Sequence, residues 1–140
     1  MYETILVGTD GSETAQRALE HAVDLARAID ATLHVITVVD TKPNPMKFGV
    51  SEVAELSRAK RELAREIEEI AGDSKPRAEI RRGDGPDALL EYASEIDADL
   101  LIVGKSDVGQ LEAAVFGRTT DRLARNTQIP LTIVPAPEAE

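Results

Sequence analysis

Apolar and polar positions in this chain fall into short β-type runs separated by stretches of helical period. Residues 4–9, Thr-Ile-Leu-Val-Gly-Thr, are short, apolar and β-branched, as in a strand buried on both faces. Asp10-Gly11-Ser12 follows as a turn, with Ser12 as an N-cap. A helix then runs to about residue 30, its buried face carrying Ala15, Ala18, Leu19, Ala22, Ala26 and Ile29. Residues 32–39 form a second buried strand, and residues 41–49, with two prolines and a glycine, are the loosest segment. A long helix over about 51–71 has Leu56, Ala59, Leu63, Ile67 and Ile70 as its stripe. Its Glu52, Glu55, Arg58, Arg61, Glu62, Arg65, Glu66, Glu68 and Glu69 read as a solvated charged face with i,i+3 and i,i+4 pairs.

Residues 77–82 make a third strand, the least hydrophobic and so an edge. Gly83-Asp84-Gly85-Pro86 turns the chain into a helix of about 86–96. Residues 99–104 are the fourth strand, about 117–127 the last helix, and Ile129–Val134 the fifth strand. This β-α-β-α-β-α-β-α-β order predicts an α/β fold: an open, Rossmann-like parallel sheet with helices on both faces and right-handed crossovers. There is no internal repeat, so residues 1–135 are expected to form a single domain and 136–140 a flexible tail.

Composition narrows the function classes. In 140 residues, 26 acids against 16 bases give a formal charge of −10. That argues against nucleic acid or an anionic membrane as partner, since both need a basic footprint. The absence of cysteine excludes disulfides, Cys–Zn sites and thiol catalysis, and fits a reducing cytosol. No apolar run approaches the roughly 20 residues of a membrane span, and Met1-Tyr2-Glu3-Thr4 has no basic leader. A cytoplasmic location is expected. Arginine exceeds lysine 11 to 5, which fits a high-salt cytosol as well as an ordinary acidic surface.

In open α/β sheets ligands bind beyond the carboxyl ends of strands, where strand order reverses. Two strand ends here carry suitable chemistry. Strand 1 ends in Asp10-Gly11-Ser12, and strand 4 ends in Gly104, followed after a loop by Gly117-Arg118-Thr119-Thr120 at a helix start. Glycine and hydroxyls at a helix start suit a phosphate, through bare N–H groups and the helix dipole. They also suit simple capping, and both readings stay open.

Val7-Gly8-Thr9-Asp10-Gly11-Ser12, Leu33-His34-Val35, Asp99-Leu-Leu-Ile-Val-Gly104 and Ile129-Pro130-Leu-Thr-Ile-Val134 together resemble the universal stress protein (UspA-like) family, over nearly the whole chain and in order. The resemblance implies a five-stranded sheet of order 3-2-1-4-5 with the switch point between strands 1 and 4. It also implies a homodimer paired through residues 129–134. It implies an ATP pocket, with or without Mg²⁺, to which Thr9, Asp10, Val35, Gly104, Asp107, Gly117, Arg118, Thr119 and Thr120 contribute. Asp10 would meet the ribose end, and Val35 the adenine. Some members carry Gly-x-x-Gly-x9-Gly-(Ser/Thr) after strand 4; here Asp107 stands for the second glycine and Arg118 for the hydroxyl, so the phosphate loop is altered. A carboxylate 4 Å from a phosphate charge costs about 4 kcal/mol at an effective dielectric of 20. Arg118 as a bidentate phosphate donor, a Mg²⁺ on Asp107, or nearby Lys105 would each offset part of that.

Other motifs carry less. Gly104-Lys105-Ser106 mimics the end of a P-loop, but Asp99 stands where its first glycine belongs. Gly83-x-Gly85-x-x-Ala88 has dinucleotide spacing but follows strand 3. His21 and His34 have no partner at metal-ligand spacing and read as structural or surface histidines. Three functions compete: a nucleotide-responsive stress module, a dimeric interaction module that binds no nucleotide, and a slow ATPase. The last has least support, because only Asp10 and Asp107 are candidate bases, so the chain is expected not to be an enzyme.

Overall fold

The computed structural model describes residues 2–39, 49–105 and 118–136, with the side chains of 49–52 and 118 outside that description. The elements are β1 (Thr4–Gly8), α1 (Glu13–Ile29), β2 (Thr32–Val39), α2 (Gly49–Ala71), β3 (Arg77–Arg82), α3 (Gly85–Glu95), β4 (Leu100–Gly104), α4 (Arg118–Asn126) and β5 (Leu131–Val134). The five strands form one sheet in the order β3-β2-β1-β4-β5, every neighbouring pair parallel. Fold class and the edge position of β3 are as the sequence predicts, and the strand order is the one the family resemblance implies. The chain reverses direction across the sheet between β1 and β4.

Strand pleating divides the core in two. Ile5, Val7, Leu33, Val35, Leu100 and Ile102 face α1 and α2, where they meet Ala18, Leu19, Ala22, Val23 and Leu63. Leu6, Ile36, Leu101 and Val103 face α3 and α4, where they meet Leu89, Tyr92, Ala93 and Leu123. The central strands are buried on both sides, which explains their unbroken apolar runs. The small residues Ala15, Ala18, Ala22 and Ala26 on the buried face of α1 leave room for close packing on the sheet.

Some boundaries move. Helix α2 begins at Gly49, two residues before the predicted start. Strand β5 begins at Leu131 because Thr127 captures the preceding turn: its hydroxyl donates to the Ile129 carbonyl at 2.8 Å and accepts the Ile129 N–H at 3.2 Å. His34 is buried, its Nδ1 3.3 Å from the Tyr92 hydroxyl. Burial first, and the Arg77 charge second, hold its pKa below the usual value. It is a core histidine.

Candidate functional site

The turn after β1 is wired by its own side chains. Thr9 Oγ1 accepts the Gly11 N–H at 3.2 Å, Asp10 Oδ1 accepts the Ser12 N–H at 2.9 Å, and Ser12 Oγ accepts the Ala15 N–H at 3.2 Å. These short polar residues compete with water for donors that the first helical turn leaves over. Gly11 sits at φ 81°, where a side chain would be strained. The Thr9 main chain is anchored to β2: its N–H donates to the Ile36 carbonyl at 2.9 Å, and its carbonyl accepts the Thr37 hydroxyl at 3.0 Å. Asp10 is exposed, and its carboxylate retains acceptor capacity beyond the Ser12 bond.

Beyond the carboxyl ends of β1, β2 and β4 lies a cleft of about 640 Å³, within the usual range for a small-molecule site. Ala15, Ile36, Val38, Leu89 and Val103 supply an apolar lining. Thr9, Asp10, Ser12, Thr14, Lys105 and Thr119 supply polar groups. Asp10 brings an acceptor from the β1 side and Lys105 a cation from the β4 side. The arrangement suits a ligand that combines an apolar part with hydroxyls and negative charge.

Of the residues singled out from sequence, Thr9, Asp10, Gly104 and Thr119 line this cleft. Val35 does not: it is fully buried in the core facing α1 and α2, while Ile36 and Val38 reach the cleft. Thr120 is also fully buried. Asp107, Gly117 and the Arg118 side chain lie outside the described residues.

Gly104 has a packing reason of its own. A Cβ there would fall 2.8 Å from Thr14 Cγ2 and 2.8 Å from the Thr14 carbonyl oxygen. The glycine lets the start of α1 lie against the end of β4. Gly85 also lines the cleft, although its dinucleotide-like spacing is discounted from sequence. The crossover from β3 to β4 brings the start of α3 there, and Arg122 of α4 ties it by bonds of 3.0 Å to both Asp84 and Asp87.

Two helical residues depart from their sequence reading. Ile29, read as part of the buried face of α1, is 42% exposed. Glu66 is not on a solvated face: it is 7% exposed, and its Oε1 accepts the Thr9 hydroxyl at 2.6 Å. Burial pushes its carboxyl above the usual range; the Thr9 hydrogen bond opposes this, and the charges of Asp10 and Glu69 add to it. A signal for it exists in the sequence, since Leu63, Glu66 and Ile70 are spaced three and four apart on one helix face.

Among the described residues, no group of three or more His, Asp or Glu side chains could hold a metal ion. None of the described helices is long and apolar enough to cross a membrane.

The family model of the universal stress proteins matches residues 1–135. A universal stress protein of Methanocaldococcus jannaschii is 27% identical, over 100% of this chain and 86% of its own. One of Methanothermobacter thermautotrophicus is 34% identical, over 74% of this chain and 76% of its own. Among solved structures, a universal stress protein in complex with cAMP is 29% identical with a TM-score of 0.70, covering 97% of this chain and 98% of that one. UspA from Lactobacillus plantarum, 24% identical with a TM-score of 0.79, covers 95% of this chain and 97% of that one and shares the fold.

Proposed function

This chain belongs to the universal stress protein family, and from that premise we propose that it is a nucleotide-responsive module binding ATP or a related adenine nucleotide between β1 and β4. The observation that carries the reading is the cleft itself. It joins an apolar lining, the Asp10 carboxylate and Lys105 at the one place where strand order reverses. The structure of a 29% identical family member in complex with cAMP supports the choice of an adenine nucleotide.

In this reading Ile36 and Val38 pack against the base, with Val35 supporting them from the core. Asp10 accepts hydrogen bonds from the sugar hydroxyls. Gly104, Lys105, Asp107, Gly117, Arg118, Thr119 and Thr120 belong to the phosphate end, Thr120 from its buried position. Mg²⁺ would enter as the counterion of the phosphates. The ligand shifts a conformational or assembly equilibrium, and does so only as far as it prefers one state. Binding without hydrolysis is the proposed activity, in the cytoplasm.

The same proposal includes a homodimer through residues 129–134. Among the described residues β5 pairs with β4 alone, at the end of the sheet, and Leu131 and Ile133 are partly exposed there. An uncovered apolar edge is a pairing site, and a two-fold axis would cover it.

Amide NMR tests the pocket. ATP is expected to shift Thr9–Ser12, Ile36–Val38 and Gly104–Lys105 most; changes confined to other regions would reject the site. Asp107→Gly separates this reading from a dimeric interaction module that binds no nucleotide. It tightens ATP binding in a working pocket and changes nothing in a filled one.

A further inference from the structure

We infer that Glu66 of α2 is a positioning residue for the ligand site: through the Thr9 hydroxyl it sets the turn that presents Asp10 to the ligand's sugar. This rests on the reading of the cleft as a nucleotide site.

The geometry is a relay. Glu66 Oε1 accepts from Thr9 Oγ1 at 2.6 Å, a length typical of a charge-assisted O–H···O⁻ bond. That fixes the Thr9 hydroxyl proton on the α2 side and leaves an oxygen lone pair for the Gly11 N–H, 3.2 Å away. The Gly11 bond spans Asp10, so the orientation of Asp10 depends on it. Thr9 lines the cleft and Glu66 does not, so Glu66 acts from behind.

A buried carboxylate is expensive to keep without a structural return, and a glutamine or leucine here would be easier to bury. The charged groups bearing on Glu66 are Asp10, in the turn after β1, and Glu69, on its own helix. Both are acidic and both act with burial to favour protonation. On protonation the carboxyl keeps only a neutral acceptor, the bond to Thr9 weakens, and the turn loosens.

The test compares wild type with Glu66→Gln, which keeps a neutral acceptor, and Glu66→Leu, which keeps none. Calorimetric titration with MgATP from pH 8 to pH 5 supplies the dissociation constants. At pH 8, Gln is expected to weaken binding about threefold and Leu about tenfold, the scale of a hydrogen bond to an ionised group. The ratio of Gln to wild-type constants cancels the titration of the phosphates themselves. It should fall toward one as pH drops through the raised Glu66 titration. A pH-independent ratio, or Leu binding as tightly as wild type, overturns the assignment.

A second readout needs no ligand and no Leu variant. The Gly11 amide shift should show a titration step above the usual carboxylate range that is lost in both Glu66→Gln and Thr9→Val. A step that survives in either variant overturns the relay. Failure of wild type to bind MgATP counts against the nucleotide site, and the Gly11 titration then decides the relay alone.

Discussion

The carbonyl oxygen of Thr14 lies 2.8 Å from where a Cβ on Gly104 would stand. The contact is with backbone at the start of α1, so no side-chain rotation relieves it. Gly104→Ala is therefore expected to cost about 1–3 kcal/mol, the usual range for overpacking. Urea denaturation measures it. Thr14→Ala in the same chain removes the methyl clash but not the carbonyl one, so the double variant should stay destabilised.

Glu66 should cost the fold stability at neutral pH. Its folded-state pKa is raised, chiefly by burial, so between the ordinary glutamate range and that raised value the native state binds more protons than the unfolded state. Stability then falls as pH rises through this window. Glu66→Gln cannot ionise and should exceed wild type in stability at pH 8. The gap should close as pH drops through the window. Paired denaturation curves at several pH values read this out, and a gap that widens toward acid would show the sign to be wrong.

Asp99 should behave in the opposite sense. Its Oδ2 accepts the N–H groups of Glu3 and Thr4 at 2.9 and 3.0 Å, and those bonds hold its carboxyl below the usual range. Its contribution is present above the ordinary aspartate range and is lost as pH falls through the lowered value. Asp99→Asn is expected to shift acid unfolding to higher pH. The start of β1 would then fray first, visible as faster exchange of the Thr4 and Ile5 amides.

Asp10 should matter to the ligand more than to the fold. Asp10→Ala removes the Ser12 N–H bond and the acceptor offered to the sugar, while Ser12 still caps α1. ATP binding should weaken about tenfold, near 1.4 kcal/mol. Circular dichroism should stay unchanged.

The sheet was legible because its central strands are buried on both faces, and Ile5-Leu6-Val7 and Leu100–Val103 show this as unbroken apolar runs. The turn at Thr9–Ser12 was legible because short polar residues and a glycine have few other uses at a strand end. Three features were hidden, each because it depends on contacts between elements distant in sequence. Val35 and Ile36 are both apolar, and only pairing register says which of them faces the cleft. Gly104 reads as a strand-end glycine that opens a phosphate loop, and its packing role appears only when α1 is laid against it. Glu66 is one acid among many on a charged helix; its spacing from Leu63 and Ile70 places it beside the apolar stripe, but its bond to Thr9 appears only when α2 meets the turn after β1.

The cleft's function is tested most directly by calorimetric titration of nucleotide-free protein with MgATP, at low and at molar KCl. A dissociation constant in the micromolar range, weakened by Asp10→Ala, is expected. No heat at millimolar ATP in either salt would contradict a nucleotide site between β1 and β4.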